Sequence, residues 1–223
     1  GILSYGEQRA GGFCGRADIL GLMAYDQVRL LLNRCDHVLV LVRAGLSEGE
    51  LPLPEWRARY RRFIDAGASV VADTGAAKGW EAYKNGLVFY GLGAPEDADS
   101  LGLFLTLRRN GRFCYEACAL ECAAGELDFS QNDAFKARID AQNALLLDDA
   151  AYLRAADEMC LRIYAERARP PRRGMLGALL PDADGEERLF SLLGDESRRL
   201  MALRAISRGR ADEKKRRENT KKP

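Results

Sequence analysis

The side chains of this chain that could do chemistry lie at the ends of two predicted strands. Asp73 ends a short apolar strand, while Ser47 and Glu48 follow another strand in the loop over residues 45–53. α/β enzymes place ligands and catalytic carboxylates at such strand ends. Asp73 has no obvious partner, however, because His37 is the only histidine and no paired acid or serine elbow motif accompanies it. We therefore predict that the chain is not an enzyme and binds no cofactor. A small α/β nucleotide-binding or hydrolytic enzyme with Asp73 at a strand end is the alternative.

The cysteines do not predict a metal site. Cys114, Cys118 and Cys122 recur every four residues, but a zinc site usually includes a closer pair and a histidine. The six cysteines of the chain are also too few and too scattered for a disulfide scaffold. We expect reduced thiols that act as small core residues on one face of an element.

Basic residues are concentrated in two places. Residues 208–223 contain eight Lys or Arg and three Asp or Glu, which gives +5, so the rest of this chain of net charge +1 carries −4. A basic tail on a mildly acidic body is typical of a nucleic-acid-binding arm, although a solubilising end has the same composition. Arg57, Arg59, Arg61 and Arg62 lie on one predicted helix, where they form either a solvated face or a phosphate-facing surface.

The elements that must position these side chains form a predicted strand–helix–strand unit. Residues 38–42 are a continuous apolar run typical of a buried strand, residues 54–66 repeat their apolar side chains at helical spacing, and residues 70–73 form a second short strand. Such βαβ units have parallel neighbouring strands and a right-handed crossover. The predicted fold class is therefore α/β: a small, mostly parallel or mixed sheet with a βαβ core and flanking helices, plus a C-terminal helical extension.

The segments around this unit are less regular. Residues 1–16 are rich in glycine and predict an N-terminal arm, and residues 18–34 predict a helix. A short helix over 76–84 and a third strand over 87–90 should follow. The segment 101–121 fits either a hairpin, with Asn-Gly at its turn, or a helix followed by a strand; we favour the helix.

The C-terminal half predicts helices beyond the α/β domain, which we assign to residues 17–130. Residues 131–169 predict a helical pair that elaborates this domain, residues 170–207 an amphipathic helical region, and residues 208–223 a basic tail. An apolar helix face without a core to join usually binds a partner, although it could also fold back on the domain. The candidate partner-binding residues are Leu189, Leu192, Leu193, Leu200, Leu203 and Ile206.

The order of these motifs resembles the L-ten family of large-subunit ribosomal stalk-base proteins. In that family a strand leads into a Gly-Leu-Thr turn, an arginine-bearing helix and a Val-Val-Lys-Asn-Thr strand end. Here the matching residues are 43–47, the predicted helix after them, and 68–74, while 200–206 resembles the closing helix of the family. One departure is that Ala72 and Asp73 replace the Lys-Asn pair of the family.

The resemblance implies a structural role at the base of the ribosomal stalk. The α/β domain would bind ribosomal RNA, the C-terminal helix would hold dimers of small acidic stalk proteins, and other large-subunit proteins would be neighbours. We expect a mitochondrial ribosome, with the cytoplasm as the alternative, because the sequence is diverged, carries a helical insertion and starts at Gly1 as a mature imported protein would. A non-ribosomal adaptor that binds a protein through its C-terminus is a further hypothesis.

From position and charge, the candidate RNA-binding residues are Arg9, Arg16, Arg43, Lys78 and Lys84. The sequence has no run of 18 apolar residues, so we expect no transmembrane helix and no membrane partner.

Overall fold

The central layer of the protein is a sheet, here called the main sheet. The computed structural model describes residues 1–7, 17–18, 23–94, 99–123, 126–168 and 194–220. The strands of the main sheet are β1 (Ile2–Gly6), β2 (Ala17–Asp18), β3 (Leu39–Arg43), β4 (Val70–Asp73), β5 (Lys78–Tyr83) and β6 (Gly86–Gly91). Their order is β2-β1-β3-β4-β6-β5, and only the edge strand β5 is antiparallel to its neighbour. The predicted α/β fold class is confirmed.

The predicted βαβ unit is confirmed as β3, helix α2 (Pro54–Asp65) and β4. The two strands pair in parallel, with Val40 opposite Val71, and both valines are fully buried because layers cover the two faces of the sheet. Pro54 lies at the start of α2, where its missing N–H costs no helix hydrogen bond. The apolar face of the helix packs on the sheet through Trp56, Tyr60, Phe63 and Ile64.

A second sheet covers the other face of the main sheet. It consists of β7 (Ser100–Leu107), β8 (Phe113–Ala123) and β9 (Glu126–Phe129), all antiparallel. The helix that we favoured over 101–121 is therefore wrong. Side chains alternate between the two faces of β7, so Leu103 and Leu105 lie on the same face and cover Phe89 and Leu87 of the main sheet. Gly111, with φ +74°, supplies the turn.

The N-terminal predictions and the predicted helix over 76–84 need correction. Residues 2–6 form β1, which pairs with β3 in the main sheet, and helix α1 (Met23–Leu32) starts later than predicted. Residues 78–83 form β5, joined to β6 by a tight turn in which Lys84 has φ +51°. In each case the pairing partner is decided by tertiary contacts, which a window of a few residues does not reveal.

Three helices complete the described chain: α3 (Asp133–Leu146), α4 (Asp149–Ala168) and α5 (Glu196–Thr220). The predicted helical pair is confirmed as α3 and α4. Asn132 caps the first by accepting from Phe135 N, and Asp148 caps the second by accepting from Ala150 N and Ala151 N. Helix α4 and the start of α5 share one apolar core with α2 and the main sheet. Among the described residues, no helix is both long and apolar enough to span a membrane.

Candidate functional site

The parallel strands of the main sheet end along one side, here called the carboxyl edge. Glu7 follows β1 there, Ala44 and Gly45 follow β3, and Gly75 comes just after β4. The chain reverses its direction of winding between β1 and β3, because β2 lies on one side of β1 and β3 on the other. Ligands of open α/β sheets bind outside the carboxyl ends of the strands at such a switch point.

Part of this protein occupies the switch point itself. Glu7 accepts hydrogen bonds from Gly45 N (3.2 Å), from Ser197 Oγ (2.7 Å) and from Ser197 N in the first turn of α5. Trp56 Nε1 donates to the same Ser197 hydroxyl at 2.7 Å. Burial raises the pKa of Glu7, against the lowering effect of the Ser197 hydrogen bonds. The start of α5 therefore fills the position where a ligand would approach β1 and β3.

Asp73, the predicted strand-end carboxylate, lies in the interior and is only 2% exposed. It accepts hydrogen bonds from Tyr60 OH, from Gly75 N (2.7 Å) and from Ala44 N (3.4 Å). Burial raises its pKa to about 6, although these donors pull it down. Asp73 thus holds together the loops after β3 and β4.

The other predicted polar residues do not join Asp73 in a catalytic group. Ser47 donates to Glu48 at 2.9 Å, and Glu48 forms an ion pair with Arg167 of α4. Within the described ranges, neither bonds to Asp73. His37 lies at the opposite edge of the sheet, where its ring nitrogens are 2.9 Å from Ser69 Oγ and 2.8 Å from Arg108 O.

Lys78 is not available to contact RNA, because its side chain points into the protein and it is only 4% exposed. Its Nζ donates to Leu46 O at 3.0 Å, in the loop after β3. Burial lowers the pKa of Lys78, the negative charges of Asp73 and Glu48 oppose this, and the positive charge of Arg138 adds to it. Lys78 is therefore a buried cation at the carboxyl edge.

An open cleft of about 630 Å³ lies next to the loop after β3, and we call it the carboxyl-edge cleft. The loop after β3 forms one wall, and α3 and α4 form the others. Arg138 Nη1 donates to Ala77 O at 3.3 Å, and Gln142 Oε1 accepts from Gly79 N at 2.8 Å. Arg162 forms an ion pair with Glu50 at 3.0 Å across the mouth. The lining residues are Glu50, Leu51, Arg138, Ala141, Gln142, Leu145, Ala155, Glu158, Met159 and Arg162.

Three of the four arginines of α2 pair with acids of the protein itself, which corrects the hypothesis of a phosphate-facing helix, while Arg62 is exposed. Arg57 is 5% exposed and bonds to Glu81 and Asp149, both at 2.8 Å. Arg61 also bonds to Glu81, at 2.7 Å, and the bonds from these two arginines hold the pKa of Glu81 at about 2 in spite of burial. On the same helix, Arg59 forms an ion pair with Glu196. Three of the four arginines thus have acidic partners in this chain.

The remaining RNA-binding candidates are not brought together. Arg43 is exposed at the carboxyl edge, whereas Lys84 lies in the β5–β6 turn at the other edge and forms an ion pair with Asp65. Arg9 and Arg16 lie outside the described residues.

The candidate partner-binding residues have different environments. Leu200 packs against the apolar core, whereas Leu203 and Ile206 are 56% and 40% exposed. Leu189, Leu192 and Leu193 lie outside the described residues.

The cysteines of the described segments differ in environment, so the expectation of small core residues holds only in part. Cys114, Cys118 and Cys122 lie along β8, and the cysteines of the described segments are free thiols. Cys114 is exposed, so it is not a core residue. No group of three or more His, Cys, Asp or Glu in those segments could hold a metal ion.

Sequence reasoning missed Glu7, Tyr60, Arg138 and Gln142 as residues of this region. Glu7 fell in the glycine-rich arm, and Tyr60 repeats with the apolar face of α2. The two residues of α3 have no local motif.

A comparison of the sequence with protein-family models and with curated proteins finds no match.

Proposed function

We propose that this chain is a small-molecule-binding α/β domain whose ligand occupies the carboxyl-edge cleft. The observation that carries the proposal is a ligand-sized cleft between the loop after β3 and helices α3 and α4, lined by Arg138 and Gln142. A volume of about 630 Å³ is within the range of small-molecule sites. Glu50 and Leu51 of the cleft belong to the loop that follows β3, on the side of the sheet where ligands of open α/β sheets bind.

The charges around the cleft favour a ligand with an anionic group. Lys78 and Arg138 are close enough for the charge of Arg138 to lower the pKa of Lys78, after the larger effect of burial. A bound anion would relieve this repulsion. Gln142 uses its Oε1 for Gly79 N, and in the described part of the chain its Nε2 donates no hydrogen bond. Arg138 and Gln142 would therefore donate to the anionic group, while Leu145 and Met159 offer apolar surface to the rest of the ligand.

Asp73 does not line this cleft, so the proposal concerns binding and assigns no catalytic step. The experiment is a thermal-denaturation screen of the full chain against inorganic phosphate, nucleoside monophosphates and small dicarboxylates. A ligand that binds the folded state raises the melting temperature in a concentration-dependent way. Arg138→Gln should weaken binding about tenfold. Arg154→Gln, an exposed arginine on α4 outside the cleft, is the matched control and should change nothing. No shift with any anion, or equal effects of the two variants, would overturn the proposal.

A second candidate is the stalk-base scaffold that the sequence resembles, and one observation favours it. Helix α5 continues to Thr220, and Ala205 is its last buried residue among those up to 212 whose burial the structure describes; residues 208–220 carry +3. Leu203 and Ile206 leave an apolar strip on the same helix. A basic helix with such a strip suits RNA together with a protein partner.

Sedimentation of tagged protein from cell or mitochondrial extract tests this candidate. Migration with large ribosomal subunits, with small acidic stalk proteins bound, is the expected result. Removal of residues 208–223 should leave part of the RNA binding in a stalk-base protein and none in an adaptor. A protein that stays at the top of the gradient excludes the scaffold role.

A further inference from the structure

We propose that a second cavity, which opens to solvent between β5, the second sheet and α3, binds a small aromatic amine. This cavity, here called the inter-sheet cavity, has a volume of about 360 Å³. Its apolar walls include Trp80, Leu101, Phe129, Phe135 and Ile139. The proposal does not depend on the function proposed above, because the two sites use different residues of α3.

The size and the walls of the inter-sheet cavity suit one aromatic ring with a short side chain. An apolar cavity of about 150 Å³ already binds benzene in another protein. Trp80 stacks on Phe89 at 5.5 Å between ring centroids, which fixes the plane of the indole. Hydrogen bonds from the backbone of β5 to Gln142 and Asn143 hold α3 in place. The walls are thus positioned before a ligand arrives, which reduces the entropic cost of binding.

The carboxylate of Asp140 at the mouth of the cavity favours a cationic ligand. Asp140 lies at the mouth and, in the described part of the chain, forms no ion pair or hydrogen bond. Lys136 also lies there, but Asp133 accompanies it at 3.6 Å. Asp99 adds a second carboxylate near the mouth, where it accepts from Ser130 Oγ at 3.4 Å. An ammonium group would pair with Asp140 and would lie close to aromatic faces, which attract cations.

The test is an NMR titration of the full chain with 2-phenylethylamine, 2-phenylethanol and phenylacetate as probes. The chain has two tryptophans, Trp56 and Trp80, so their indole N–H signals report on two places at once. Trp80 lines the cavity, whereas the Trp56 indole is buried and donates to Ser197. We expect the amine to shift the Trp80 signal and not the Trp56 signal, with a Kd in the millimolar range for so small a probe. The alcohol and the carboxylate should bind at least fivefold more weakly.

Two variants separate the contributions of charge and of space. Asp140→Asn should weaken amine binding about fivefold and remove the preference over the alcohol. Glu166→Gln, an exposed acid on α4, is the matched control and should leave binding unchanged. Ala119→Leu should narrow the cavity and weaken binding of all three probes.

The Trp56 signal and the thermal transition show whether each variant is folded. The proposal is wrong if no probe shifts Trp80, if the carboxylate binds as tightly as the amine, or if Asp140→Asn has no effect. The Asp140→Asn result decides the matter even where Ala119→Leu fails to fold.

Discussion

Ser197 in the first turn of α5 donates to Glu7 at the end of β1 from both its backbone N–H and its hydroxyl, across 190 positions of sequence. The carboxylate lies where the unpaired N–H groups and the dipole of the helix favour negative charge. Trp56 Nε1 donates to the same hydroxyl. The C-terminal helix is thus fastened to the switch point between β1 and β3, so its first turns belong to the α/β domain.

Substitution of this hydroxyl should destabilise the whole domain. Ser197→Ala removes a donor to Glu7 and leaves the buried indole N–H of Trp56 without its acceptor. A loss of about 1–3 kcal/mol in the free energy of unfolding is expected, measured by urea denaturation. Ser47→Ala removes an exposed hydroxyl that bonds to Glu48 and should change this free energy by less than about 0.5 kcal/mol. Equal effects of the two variants would contradict the role of Ser197.

The buried carboxylate of Glu81 should contribute much more to stability than an exposed acid does. Glu81 pairs with Arg57 and Arg61 and accepts from Tyr90 OH at 2.5 Å. Glu81→Gln leaves buried positive charge without a full partner, which costs about 3 kcal/mol or more. Asp26→Asn breaks an exposed pair with Arg29 and should cost less than about 1 kcal/mol. Denaturation curves at pH 7 test this, and a loss below about 1 kcal/mol for Glu81→Gln would refute the assignment.

The parts of the fold that could be predicted are those with local periodicity. The β3–α2–β4 unit and helices α3 and α4 repeat their apolar residues at regular spacing, and two of these helices have caps in the sequence. Strand β1 could not be predicted in this way, because it is short and pairs with residues about 37 positions later, as in Ile2 with Leu39. The docking of α5 was only the second alternative for a different reason: small residues such as Ala202 and Ala205 fill the contact, while Leu203 stays exposed.

The candidate site could be predicted only at its strand ends. Asp73 was located correctly at the carboxyl end of β4, but its partner Tyr60 lies on the apolar face of α2, where no sequence signal marks a polar role. Lys78 was chosen as an RNA contact from its position and charge, although in the fold it is one of the few buried lysines. In the fold its ammonium reaches Leu46 O instead, a contact between the start of β5 and the loop after β3, although two strands separate β3 from β5 in the sheet.

Asp73 should make the protein less stable as the pH rises from about 4 to about 6. Its pKa is raised from 3.8 to about 6 in the fold, so in this interval the folded protein binds a proton more tightly than the unfolded chain does. Stability from this group is therefore greatest below pH 4 and falls by a few kcal/mol as the pH passes through the folded pKa. Glu81 acts oppositely, with a lowered pKa, but only between about pH 2 and 4.5.

Urea denaturation at several values between pH 4.5 and 6.5 measures the effect of Asp73. Asp73→Asn should flatten the decline in unfolding free energy, because the titrating group is removed. Asp36→Asn, at an exposed acid before β3, should leave the decline as it is in the unmodified protein. A decline that persists in Asp73→Asn would assign it to another group, such as Glu7, whose pKa is also raised.

Two glycines should respond in opposite ways to a single added methyl group. At Gly91 in β6 a Cβ would lie 1.8 Å from Ala76 O, so the chain between β4 and β5 would have to move away. Because Lys78 pairs with Gly91, this movement would also displace the buried ammonium. Gly91→Ala should therefore lower the free energy of unfolding by more than about 3 kcal/mol and weaken anion binding in the carboxyl-edge cleft.

At Gly209 in α5 nothing lies within 4 Å of such a Cβ. Gly209→Ala should raise helix content and stabilise α5 by about 1 kcal/mol or less. Circular dichroism with thermal denaturation distinguishes the two, and a stable Gly91→Ala protein would show that the contact with Ala76 is easily relieved.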